Sequence, residues 1–285
     1  MPVSPVFILN GDAMLHRGYR HKRKRRVRST KHHWLDIVLV IVAAILIGIG
    51  SYMLIQDKQA GDNIEVLAEE VGPNSNDDGN TDGYGDSIKW VNILAQNPDT
   101  VAWLNVDGTS IDVPVMQTDK SDPEYYLYHD FWGNRSDTGC PFLGVDYDAN
   151  GQTMQVYGHC TVYNSYMFHD LADKYIQSNF NAIGTAKWAT PTSLSTAIFT
   201  PICAASVSMY DSNWQIPAKA TIQQTRDWAV WACNNASAKA DGAEEIAKKA
   251  DRILVLITCN GWGWHSQTRT AVVFAYTYPQ LNDAL

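Results

Sequence analysis

The sequence predicts a β-rich α+β domain placed behind a single membrane-spanning helix. Three observations lead there. Short β-type runs bounded by turn residues recur from residue 101 to residue 276, and only a few stretches with helical spacing interrupt them. Residues 37–55 form a run of 19 without a charged side chain. Between these two parts lies a stretch rich in Asn, Asp and Gly that is too polar to bury anything.

Residues 1–33 hold nine Lys or Arg against one Asp, densest at Lys22-Arg23-Lys24-Arg25-Arg26. The net charge of −8 hides this split, because the rest of the chain carries 13 basic and 29 acidic side chains, a balance of −16. So acidic a body argues against nucleic acid as its partner. The apolar run that follows is long enough for a bilayer core at ~1.5 Å rise per residue, with Trp34 and Tyr52 near its ends as interface residues. The reading is therefore a basic cytoplasmic tail at 1–33, a transmembrane helix at 34–56 that meets the membrane through residues 37–55, and everything after Gln56 outside the cell. A cleaved signal peptide is the alternative. Against it, the run is longer than an h-region and no A-x-A site follows.

Residues 57–85 read as an acidic, Gly- and Asn-rich linker. Within it, 57–71 fits either a short acidic helix, with Ile64, Leu67, Ala68 and Val71 at helical spacing, or a loose stalk. The main domain is expected over 86–285. It opens with a helix to Gln96, where Ile88, Val91, Leu94 and Ala95 make one stripe and Asn97-Pro98 ends it. A hairpin follows, its runs 101–106 and 111–116 alternating about the Asp107-Gly108 turn, with Pro114 marking an edge or bulge. Residues 125–128 and 141–145 are strand candidates, and 153–157 is the strand that delivers His159. Residues 166–180 read as helical. Residues 185–189, 197–208 and 219–222 have β character, 225–235 and 241–250 read as helices, and 253–257 and 270–276 are the closing strands.

All five cysteines, Cys140, Cys160, Cys203, Cys233 and Cys259, follow the apolar run, and an odd number leaves at least one thiol unpaired in the monomer. Cys259 ends one apolar run and Arg269 opens the next, so a thiol and a guanidinium are expected at facing ends of neighbouring strands. His159 sits where another strand meets a loop. A thiol nucleophile needs a base or proton donor and a group to hold the acyl oxygen, and these three residues supply those parts. Each has a plainer reading as well: a buried core thiol, a structural histidine, a solvated arginine. Cys160 is a rival nucleophile, but adjacent residues of an extended chain point to opposite faces, so it should not share a cleft with His159. His129, His169 and His265 read as surface or packing residues. The spacings of His159, Cys160, Cys259 and His265 match no common zinc pattern, so neither metal nor cofactor is expected.

Tyr157-Gly158-His159, the strand end Leu256-Ile257-Thr258-Cys259, and Arg269 ten residues after the cysteine resemble the sortase family, class B above all. Tyr126-Leu127-Tyr128-His129-Asp130-Phe131, Gly133-Asn134, and Ser165-Tyr166-Met167-Phe168 followed by Asp170-Leu171 resemble class B segments too, so the likeness covers roughly residues 86–278. The interval between Cys259 and Arg269 holds no Asp or Glu. The resemblance implies a closed β-barrel with a few peripheral helices and a helical insertion before its last strands. It implies a cysteine transpeptidase with Cys259 as nucleophile, His159 as general acid/base and Arg269 on the substrate carbonyl, and Thr258 and Leu127 as candidates for the pocket wall. The implied partners are secreted proteins with a C-terminal sorting signal and an amine acceptor, from a peptidoglycan precursor or a pilin lysine. Two rivals stand beside this reading: an anchored cysteine peptidase that releases its acyl group to water, and a non-catalytic adhesin or sensor. An L,D-transpeptidase is disfavoured because Asn260-Gly261, and no arginine-bearing motif, follows the cysteine.

Overall fold

The structure is a computed structural model and describes residues 33–72, 87–160, 166–193, 195–260 and 267–278. The basic tail up to residue 32, the linker from residue 73 on, and the aromatic loop at 261–266 with His265 lie outside the described residues. The chain divides into two units, Met1–Gly48 and Ile49–Leu285. In the first, the described residues are the opening turns of helix α1 (His33–Val71), apolar and exposed. By length and composition α1 can cross a membrane.

Within the second unit α1 continues to Val71, and Ile64, Leu67 and Val71 are buried in the same core as Trp103 and Leu104. Residues 57–71 are thus helical and packed rather than linker. The stripe at 64, 67 and 71 has the spacing that brings side chains onto one helix face, and an apolar face of that kind is stable only when covered.

Eight strands close a barrel. Around the ring they run β5 (Ala186–Ala189), β1 (Thr100–Val106), β2 (Asp112–Gln117), β3 (Phe142–Leu143), β4 (Thr153–Tyr157), β8 (Arg252–Cys259), β9 (Thr268–Tyr276) and β6 (Ala197–Ser208), and β6 pairs back onto β5. A ninth strand, β7 (Ala238–Lys239), adds to β6 outside the ring. The β2–β3 and β4–β8 pairs are parallel and the rest antiparallel. Four helices accompany the barrel: α2 (Trp90–Gln96), α3 (Gln177–Phe180), α4 (Ile222–Asn235) and α5 (Ala243–Lys249).

Two hydrophobic clusters explain why β8 reads as a continuous apolar run. Leu254 and Leu256 join Trp103, Trp188, Phe199 and Phe274 in the barrel interior. Ile253, Val255 and Ile257 face the other way, into a second cluster with Ala229 and Ala232 of α4 and Ala247 of α5. A strand covered on both faces has no reason to alternate. The alanines keep the helix surfaces thin where they meet the sheet.

Four segments depart from the sequence reading. The helix expected from residue 86 begins at Trp90 and buries Ile93 in place of the expected stripe, of which Val91 is 82% exposed. Residues 125–128 form a 3-10 turn, Tyr125–Leu127, and not a strand, because the Tyr126 hydroxyl is drawn into buried hydrogen bonds with Asn97 and Asp99. Residues 166–180 hold a 3-10 turn at His169–Leu171 and the short α3 in place of one helix. The chain there must first fold back, Met167 bridging to Cys160 and the Phe168 amide donating to the His159 carbonyl (3.0 Å). Residues 219–222 are not a strand. The Thr221 hydroxyl caps α4, accepting from the Gln224 amide (3.3 Å) while the Gln224 side chain accepts from the Thr221 amide (2.9 Å).

Candidate active site

Strands β4, β8 and β9 are consecutive neighbours in the barrel wall, and each contributes one of the three expected residues at the same end. Cys259, the last residue of β8, lies opposite Arg269 near the start of β9. The Asn260 amide donates to the Thr268 carbonyl (3.4 Å), which makes Asn260 and Thr268 the hydrogen-bonded pair and Cys259 and Arg269 the adjacent non-hydrogen-bonded one. In pairs of that kind the side chains approach closest, with Cα atoms ~4.5 Å apart.

The parallel partner is β4, where Tyr157 lies against Ile257 and the Gly158 amide donates to the Ile257 carbonyl (3.1 Å). The same register carried two residues further sets His159 alongside Cys259. Face is decided by alternation. Ile253, Val255 and Ile257 of β8 and Ala271, Val273 and Ala275 of β9 all lie on the outer face, so Cys259 and Arg269 lie there as well. On β4, Met154 and Val156 point inward. Gly158 also abuts the interior, since a Cβ on it would stand 2.7 Å from the Phe168 ring. His159 therefore faces outward with the other two. The glycine of Tyr-Gly-His is required by this close approach of Phe168, itself fully buried.

His159 is half-buried, and its Nε2 lies 2.8 Å from the carbonyl oxygen of Leu127 in the Tyr125–Leu127 turn. Arg269, also half-buried, donates from Nη1 to the carbonyl of Thr268 (3.0 Å). Thr258 is on the inward face and 2% exposed, and its hydroxyl has no hydrogen-bond partner among the described residues. Leu127 reaches the site through its backbone. Cys160 lies past the strand end with its Sγ 3.9 Å from Nδ1 of His169. Burial, then the neighbouring Cys259 and Asp173, push the Cys160 thiol up to about 11.

Several residues shape the site in ways the sequence did not disclose. Asn260 donates from its side chain to the Ser206 hydroxyl (2.7 Å) and so ties the chain after Cys259 to β6. Phe168 and the Leu127 carbonyl act through contacts between segments far apart in the chain, which leave no local pattern. Among the described residues no cluster of His, Cys, Asp or Glu could hold a metal ion.

No family model matches the chain. Sortase B of Listeria monocytogenes is 33% identical over 88 residues, which are 30% of this chain and span about a third (33%) of that relative. A cysteine-to-serine form of Clostridium perfringens sortase B superposes with a TM-score of 0.62 at 25% identity, over 78% of this chain and 98% of that one. A Staphylococcus aureus sortase B–substrate complex, 19% identical, shares the fold with a TM-score of 0.56 over 76% of this chain and 91% of that one. The closed barrel is the sortase fold, and these likenesses support a class B-like sortase family for the chain.

Proposed function

We propose that the protein is a membrane-anchored cysteine transpeptidase that cleaves a sorting signal in secreted proteins and passes the acyl group to an amine. The observation that carries the reading is the pairing of Cys259 with Arg269 across β8 and β9, with His159 two residues past the end of the adjacent β4, at the same end of the barrel. The Cys259 thiolate attacks the substrate carbonyl carbon, forming the C–S bond. The carbonyl oxygen gains charge, and the guanidinium of Arg269 stabilises it. As the C–N bond breaks, His159 protonates the leaving amine and a thioacyl enzyme remains. A second amine then attacks the thioester and releases the thiol. That acceptor is a peptidoglycan precursor or a pilin lysine, and the product is a surface protein joined covalently to its support.

The acceptor step separates transfer from hydrolysis. Mass spectrometry of products from a sorting-signal peptide, with and without an added amine, is expected to show amine adducts. Release to water alone, at any amine concentration, would make the protein a peptidase. In the same assay Cys259→Ala is expected to abolish turnover in a folded protein and Cys160→Ala to preserve it. The reverse pattern would transfer the nucleophile to Cys160.

Cys160 is expected to be a poorly ionised thiol at neutral pH. With its thiol held near 11, Cys160 is ionised to about one part in a thousand at pH 8. Its alkylation by iodoacetamide, followed by peptide mass spectrometry, should climb about tenfold per pH unit towards that value. A rate independent of pH across the neutral range would contradict the burial argument.

For Arg269, shape and charge act together. Arg269→Lys keeps the charge and loses the planar pair of donors, so kcat should fall about 10²–10³-fold, or ~2.7–4 kcal/mol, with KM little changed. An arginine with a structural role alone would instead lower thermal stability and leave the activity per folded molecule intact.

The anchor belongs to the same proposal: α1 crosses the membrane, the basic tail is cytoplasmic and the barrel is extracellular. Protease applied to intact cells should then remove the chain beyond residue 72 and spare the tail. A protected barrel would overturn that orientation.

A further inference from the structure

The contact between His159 and Leu127 decides more than the tilt of a ring. A backbone carbonyl has no proton to give, so in the 2.8 Å contact the proton belongs to Nε2, whether the imidazole is neutral or charged. Nδ1 is then the nitrogen whose proton comes and goes.

The Leu127 carbonyl is itself held from two sides. On one side is Tyr126, the middle residue of the turn and only 2% exposed. Its hydroxyl donates to Oδ2 of Asp99 (2.8 Å) and accepts from Nδ2 of Asn97 (3.0 Å), and Asn97 also donates to the Phe131 carbonyl (2.6 Å). Burial holds the Tyr126 phenol well above its ordinary value, which keeps it a donor. On the other side is the segment Gly139-Cys140. The Cys140 amide donates to the Tyr126 carbonyl (2.9 Å). Gly139, at φ +63°, lies so close that a Cβ would stand 2.6 Å from the Tyr126 oxygen and 2.8 Å from the Leu127 oxygen. Only glycine fits that gap in that conformation. A carbonyl clamped in this way is a fixed acceptor that can orient an imidazole.

We infer that Tyr126 and Gly139 are positioning residues. They set the Leu127 carbonyl against His159, hold the neutral ring as its Nε2–H tautomer and reserve Nδ1 for the proton that passes to the leaving amine. The catalytic half of this inference rests on His159 being the acid.

The test reads the ring directly. The full chain in detergent micelles, labelled with ¹⁵N-histidine, is examined above pH 8, where imidazoles are neutral, and His159 is assigned by its loss in His159→Ala. The expected state is Nε2–H. Tyr126→Phe keeps the aromatic volume and removes the anchor, so it should mix the tautomers and lower kcat about tenfold or more with KM within about twofold. Gly139→Ala should act in the same direction, and if it fails to fold Tyr126→Phe decides alone. A wild-type ring protonated at Nδ1 would overturn the inference. So would a Tyr126→Phe protein with tautomer and kcat unchanged, or one that loses thermal stability alone. Full activity in His159→Ala would instead overturn the underlying reading of the acid, and it would be recognisable as such because the tautomer measurement does not depend on turnover.

Discussion

Strand register is the constraint on which the site depends. Side chains alternate along a strand, so a slip of one residue between β8 and either neighbour would send Cys259, His159 or Arg269 to the wrong face. The parallel pairing of Tyr157 with Ile257 and the antiparallel pairing of Ile257 with Ala271 hold all three in one row. What prevents the slip is burial on both sides of the sheet. Shifting β8 by one position would exchange Leu254 and Leu256, packed among the large aromatics of the interior, with Ile253 and Val255, packed against small residues of α4 and α5. Close-packed interiors tolerate such exchanges of shape poorly. The core thus holds the three residues in register through geometry alone.

The ends of the strands follow a different physics. Beyond Gly158 and Cys259 the ladder stops, and side chains and loop backbone replace it. Phe168 packs beneath Gly158, the Met167 backbone bridges to Cys160, and Asn260 is tied to Ser206 on β6. Each contact ties down the chain just past a strand end. The rim is therefore built from segments near residues 127, 139, 160, 167 and 206, assembled only because the barrel brings their strands and turns together.

No carboxylate lies between Cys259 and Arg269 in sequence, and the partner found for Nε2 of His159 is a neutral carbonyl. A carbonyl orients an imidazole without adding a full charge beside it, whereas a carboxylate would favour the protonated ring strongly. Burial, with Cys259 and Asp173 nearby, raises the Cys160 thiol, an outcome that chain position alone does not predict.

Local chemistry was legible in the sequence. The turn at Asp107-Gly108, the strand at 197–208, the helices near 225–235 and 241–250, and the two apolar runs flanking Cys259 all appear, because turn preference, helical spacing and apolar runs act over a few residues. Cys259, Arg269 and His159 could be picked out because each stands at the end of such a run. The structure alone decided that residues 64, 67 and 71 are buried against the barrel, that the aromatic run at Tyr125–Leu127 turns instead of extending, and that Thr258 faces inward. It also decided that Gly139 and Tyr126 press a carbonyl against a histidine some twenty to thirty residues further on. These outcomes depend on which distant segment covers an apolar face or satisfies a buried polar group, and neighbouring residues carry no record of that choice.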